Sequence, residues 1–251
     1  MSRAAPPRAR LQAQATLELR LLLRNGENLL VAFGIPAGLL VLFALVDVLP
    51  TADQPPVDFL LPGVLVAATM GSALVALAIS TGFDRDYLVL KRLGTTPLRR
   101  RELVAAKIGA ILAVQVIQVA LMVGIAVALG WPVALPLRPL GGAAAVAALA
   151  LGTAAFAGIG LALAGRLRAT LTLALANTLF VLLLGGSGLF FPLDALPAGV
   201  RAVVGLLPSA ALVELLRGAL GPAPLLLTDW GVLAVWALGA PAVAARVFRW
   251  E

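Results

Sequence analysis

Six stretches of this chain run for about 16 to 30 residues without a single Asp, Glu, Lys or Arg: 28–46, 59–83, 108–137, 139–165, 169–193 and 230–245. A helix rises 1.5 Å per residue, so about 20 apolar residues cross the hydrocarbon core of a bilayer. Lipid offers no partner to backbone N–H and C=O groups, so a spanning segment must satisfy them internally. The reading that follows is an all-α integral membrane protein. Its six transmembrane helices are expected at 28–49, 59–83, 104–130, 139–165, 169–193 and 225–247, the last borrowing Leu225 to Thr228 and placing Asp229 near a headgroup boundary. Composition agrees: 61% of residues are hydrophobic, 12% are charged and mean hydropathy is +1.04, too much apolar surface for a water-soluble core.

The positions of Lys and Arg set the expected orientation. All but three of the 19 fall at the N-terminus, between Arg85 and Lys107, at Arg166 and Arg168, or at Arg246 and Arg249; only Arg138, Arg201 and Arg217 fall in the alternate segments. The positive-inside rule then gives both termini inside, an N-in/C-in topology. The net charge of +7 reports orientation and does not imply nucleic acid. Residues 8–25 space Leu11, Ala15, Leu19 and Leu22 on one helical face and Arg10, Gln14 and Glu18 on another, which predicts an amphipathic helix at the membrane surface, in contact with membrane lipids. Between the fifth and sixth spans, residues 194–224 hold an apolar run too short to cross, punctuated by Pro197, Pro208 and Pro222, and are expected to form an outer re-entrant segment. The loops leave no room for a soluble domain, so the chain reads as a single transmembrane domain, 1–251.

Absent residue types remove whole classes of chemistry. Without His or Cys there is no imidazole or thiol nucleophile, no zinc cluster and no disulfide. An intramembrane aspartyl enzyme needs two opposed carboxylates, and the spans contain none. An ion-coupled secondary transporter would also want such carboxylates, and Asp47 and Asp229 lie only at outer ends. That alternative and a non-transport membrane assembly protein remain open on the residues alone. No Gly-x-x-x-x-Gly-Lys-Ser/Thr occurs, and Gly158 and Gly160 sit inside a span, so this chain binds no nucleotide of its own by motif.

The cytoplasmic loop 84–103 carries the densest information. Phe83, Tyr87, Leu90 and Leu93 share helical spacing, Asp84, Arg85, Asp86, Lys91 and Arg92 stay polar, Gly94 supplies a stop, and Thr96-Pro97 reads as an N-cap with proline at the first position of the next helix. On spacing alone this is a short amphipathic helix, a turn and an extension of the third span; a solvated basic loop touching anionic lipid fits it too. Within the spans, Gln115 and Gln118 share a face of the third, and Asn177 and Thr178 mark the middle of the fifth. Such groups either join helices or line a pathway.

Asp84-Arg85-Asp86, the Leu88 to Leu93 helix, Thr96-Pro97-Leu98 and Lys107, together with Gly188 to Pro197, Leu207-Pro208 and Glu214 to Arg217, resemble the type-2 export permeases of the ATP-binding-cassette (ABC) superfamily, particularly the daunorubicin-resistance-like bacterial group. The order of elements along nearly the whole chain is similar too. The family often has Glu where Asp84 and Asp86 stand. The resemblance implies a membrane-spanning exporter subunit in the bacterial cytoplasmic membrane that is not itself an enzyme. It implies two copies of a separate ABC ATPase subunit carrying ATP and Mg, and a second permease chain as homodimer or heterodimer. It further implies that residues 84–103 form the coupling segment. Asp84, Arg85, Asp86, Tyr87, Leu90, Lys91 and Arg92 would then face the ATPase, Tyr87 and Leu90 as apolar anchors. The expected cargo is amphipathic: a drug, lipid or glycolipid.

Overall fold

The computed structural model describes residues 5–46, 55–132, 139–189, 193 and 196–248. Outside these lie 47–49 of the expected first span, Asp53, Arg138, 190–192 of the expected fifth span, 194–195 of the outer segment, and Arg249. Every regular element among the described residues is helical, as the hydropathy demands.

The chain opens with α1 (Pro7–Arg24), whose proline at the first helical position needs no hydrogen-bond partner for its nitrogen. The first apolar stretch is broken into α2 (Gly26–Leu29), a π-helical turn (Leu30–Gly34) and α3 (Ile35–Leu45), which starts at the Ile35-Pro36 step. The second is one continuous rod, Pro56–Asp86, made of α4 (Pro56–Met70), a second π turn (Gly71–Ala76) and α5 (Leu77–Asp86). After α6 (Val89–Gly94) come α7 (Arg100–Ala128), α8 (Pro139–Ala164) and α9 (Ala169–Gly185). The outer segment contributes α10 (Ala198–Val204) and α11 (Pro208–Leu220), bent by 92° to each other, before α12 (Leu227–Val247).

Among the described residues, four helices are long and apolar enough to cross a membrane: Pro56–Asp86, Arg100–Ala128, Leu140–Ala164 and Leu227–Val247. The first and fifth expected spans are apolar but shorter, Ala32–Leu45 and Ala169–Gly185, and the bent pair α10–α11 is too sharply turned to be one straight span.

Burial is concentrated on the second rod and α8. Along α4 every residue from Leu60 to Met70 is buried. The glycines of α8 let its neighbours in. A Cβ on Gly158 would fall within the backbone of α12, inside contact distance of the Pro241 nitrogen and 2.6 Å from the carbonyl carbon of Ala240; one on Gly160 would meet the Leu74 carbonyl oxygen of the second π turn at 2.7 Å. These glycines, which carry no phosphate-binding loop, are what allow backbone-to-backbone packing. At the outer end, Arg217 gathers three elements: its guanidinium donates to Glu214 Oε1 at 2.8 Å and to the Gly188 carbonyl at 2.6 Å, and lies 5.2 Å over the Phe59 ring. Trp236 Nε1 donates to the Leu206 carbonyl at 2.9 Å and ties the bend to α12.

α1 buries Gln14 and Glu18, half-buries Leu11, Ala15, Leu19 and Leu22, and exposes Leu17, Leu21 and Leu23. The Gln14–Glu18 stripe faces the protein.

Candidate coupling site and membrane cavity

The partners of that polar stripe lie on α7. Arg10 Nη2 pairs with Glu102 Oε1 at 2.8 Å, and Glu18 Oε2 accepts from Lys107 Nζ at 2.9 Å. Both pairings run in the same order along the two helices, so α1 lies alongside the first turns of α7. The other Glu18 oxygen accepts from Gln14 Nε2 at 2.8 Å. Lys107 is 1% exposed and also donates to Asp84 Oδ2 at 3.1 Å. α1, the C-terminal end of the second rod and α7 thus meet at one buried ammonium. Nothing in local spacing points to this cluster, because Glu18 and Lys107 stand 89 positions apart. The signal available was a lone lysine opening a charge-free stretch with no opposite charge within two helical turns after it.

From Asp84 the chain does not continue as one amphipathic helix. α5 ends at Asp86, Leu88 takes a left-handed conformation (φ 60°), and α6 begins at Val89. A side chain with a Cβ holds such a backbone at a cost of about 1–3 kcal/mol, and such residues cluster at functional sites. The break divides the predicted apolar face in two. Phe83, Tyr87, Leu88 and Val89 are exposed, Tyr87 at 71%, with the Phe83 and Tyr87 rings stacked at 6.0 Å. Leu90 turns the other way and is fully buried with Leu103 and Phe248, flanked by Leu93 and Leu98. Leu90, expected as an outward anchor, is therefore an internal anchor of the segment. Asp84 likewise points inward to Lys107, while Asp86, Lys91 and Arg92 are exposed and Arg85 reaches the Ala164 carbonyl at 3.5 Å.

The turn after α6 also differs from expectation. Thr95 and Thr96 donate their hydroxyls to the Arg92 and Leu93 carbonyls at 2.7 and 2.6 Å, closing the end of α6. The next helix is started by Glu102, which accepts from the Arg99 backbone N–H at 2.9 Å, in place of Thr96.

The intramembrane amides separate cleanly. Gln118 is fully buried and joins three segments: its Nε2 donates to the Ala32 carbonyl at 2.7 Å and to the Ala68 carbonyl at 3.4 Å, and its Oε1 accepts from Ser72 at 3.4 Å. Gln115 is 4% exposed, with neither amide atom partnered among the described residues. Opposite outcomes follow for the same substitution. Gln118→Leu should lose about 0.6 kcal/mol per interhelical bond. Gln115→Leu should be neutral or stabilising, since it removes an unsatisfied buried amide. Thermal unfolding of the two purified variants in one detergent checks the signs.

Asn177 and Thr178 are exposed on α9 and bond back to their own helix, at the Leu173 and Ala174 carbonyls, each at 2.9 Å. Asn177 also lines a cavity of about 390 Å³ between the first stretch, the second rod and α9. Ala32 of the first π turn and Gly71, Val75 and Ala76 of the second border it, with Pro36 and Phe180. Its wall is otherwise apolar, and π turns recur at functional sites. Gln115, Gln118 and Thr178 do not line it.

A protein-family model described as ABC-2 type transporter matches residues 10–220, from α1 through α11. No curated protein matches the chain.

Proposed function

The chain belongs to the ABC-2 type transporter family and is a multi-pass permease component of an ABC transporter; from that premise we propose that it is the membrane half of an exporter in a bacterial cytoplasmic membrane, driven by separate ATPase subunits. Both termini lie inside, six segments are embedded, and the bent pair α10–α11 re-enters from the outer side. ATP and Mg belong to two ATPase subunits. A second permease chain, identical or related, completes the pathway. The cavity beside Asn177 suits an amphipathic cargo, because it offers one amide among apolar side chains of the first stretch, the second rod and α9.

The observation that carries this reading is the exposed tip Tyr87-Leu88-Val89 on a rigid base. Leu90 and Asp84 fix the segment from within, and the left-handed Leu88 pushes three apolar side chains outward into water. An aromatic anchor on such a platform is the usual centre of an interface, while Asp86, Lys91 and Arg92 supply rim charge that sets register.

Tyr87→Ala with Leu88→Gly tests it. Glycine tolerates the Leu88 backbone, so the permease should fold normally. Losing an aromatic hot spot costs about 2 kcal/mol or more, so the ATPase subunit should bind roughly 30-fold more weakly. Titration of the purified ATPase onto nanodisc-embedded permease reads this directly, and wild-type affinity in the double variant would remove the tip from the interface.

A further inference from the structure

The buried ammonium of Lys107 is more than a structural tie, because its two carboxylates come from different elements, α1 and α5. Glu18 is the fixed side. It is 11% exposed, and both of its oxygens are occupied, one by Lys107 and one by Gln14. A second ion pair, Arg10 with Glu102, holds α1 to α7 nearer the N-terminus of both helices. Asp84 is the looser side. It is 33% exposed, its bond is the longer of the two at 3.1 Å, and Lys107 is its one bonded partner among the described residues. Asp84 stands three residues before Tyr87, at the end of the rod that carries the exposed tip.

We propose that Lys107 is the joint through which displacement of the coupling segment reaches the surface helix α1, with Glu18 as its permanent partner and Asp84 as the exchangeable one. This rests on the reading of Tyr87-Leu88-Val89 as the ATPase contact. When the tip is pushed, α5 shifts Asp84 relative to α7. A full positive charge in an apolar surround follows its counter-ion or strengthens its hold on the one that remains, since leaving either carboxylate unpaired there is costly. The movement of the coupling segment therefore redistributes the ammonium between two helices. α1, whose Leu17, Leu21 and Leu23 are exposed, responds because Glu18 is its inward hold. Lys107 is a positioning residue in this scheme and touches neither cargo nor nucleotide.

Removing the three charges together separates this role from plain stability. The variant Glu18→Gln, Lys107→Met, Asp84→Asn keeps the volumes and leaves no buried charge unpaired, and neutral replacement of a whole buried ion cluster is commonly tolerated. The chain has no cysteine, so labels can be placed singly. Spin labels at Thr16 on α1 and at Thr95 beside α6, each exposed, are paired with one at Ala242 on α12, which is locked against α8. Distances are measured in the nanodisc complex with its ATPase subunits, before and after trapping with Mg·ATP and vanadate. In the otherwise wild-type protein both separations are expected to shift. In the neutral triple variant the Thr95–Ala242 shift should persist and the Thr16–Ala242 shift should be lost. A purely structural cluster would change the melting temperature of the variant but leave its Thr16 shift intact. Survival of that shift overturns the joint, as does an otherwise wild-type Thr16 label that stays still while Thr95 moves; both leave the coupling reading standing. If neither label moves without the triple substitution, the coupling reading falls and takes the joint with it.

Discussion

Lys107→Met is expected to cost about 3–5 kcal/mol of stability, the usual penalty for removing one partner of a buried ion cluster. Methionine fills the volume of the lysine stem, so the loss does not come from a cavity. It comes from Glu18 and Asp84, left facing each other without a cation where Lys107 is 1% exposed. For a membrane helix bundle such a loss should show as low yield of assembled protein and a melting transition well below that of the parent, followed by tryptophan fluorescence in detergent. Neutralising Glu18 and Asp84 in the same chain should recover most of it. A single Lys107→Met variant that melts with the parent would mean that water reaches the site and screens the carboxylates.

Gly158→Leu should be comparably damaging for a different reason. The first added atom already lands among the backbone atoms of Ala240 and Pro241, which cannot rotate away as a side chain can. Overpacking of this kind typically costs about 1–3 kcal/mol even for small additions, and leucine adds three further carbons. α8 and α12 would have to separate along their whole contact, exposing Leu233 and Ala244, which are fully buried now. Gly239→Ala, one residue before Ala240 on α12, is the control. Its Cβ meets nothing within 4 Å, so its melting temperature should be unchanged or slightly raised. Equal melting of the Gly158 and Gly239 variants would show that the two helices do not touch at this level.

Hydropathy made the membrane-embedded helices legible, and the loops between them, because it reports which residues avoid water. It could not tell which face of each helix is inside. Lipid and protein interior are equally apolar, so Val114 at 4% exposure and Val116 at 69% look alike in sequence. Only polar residues distinguish the two environments, and they do so through distant partners: Gln118 through carbonyls of the first two stretches, Gln14 and Glu18 through Lys107. Spacing marks the polar stripe of α1 but does not show that its partners lie on another helix. In the coupling segment, the spacing of Phe83, Tyr87, Leu90 and Leu93 predicted one continuous face. A single left-handed residue at Leu88 broke that periodicity, and no glycine or asparagine marked the position.

The second π turn carries a consequence for the angular phase of the rod around it. Residues Gly71–Ala76 are wound more loosely than an α-helix, so the part of the rod beyond them is rotated relative to where α-helical winding would put it. Each residue of α-helix accounts for about 100° of rotation. Deleting one residue within Gly71–Ala76 and closing the rod to continuous α-helix would largely keep that phase, whereas rewinding all six residues as α-helix would turn everything after them by roughly that angle. In the rewound rod the face from Leu60 to Met70 would stay in the core, but Asp84 would swing away from Lys107 and the Tyr87 tip would point in a different direction. The loose turn beside the cavity thus sets the azimuth at which the far end of the rod meets its buried lysine and presents its exposed tip.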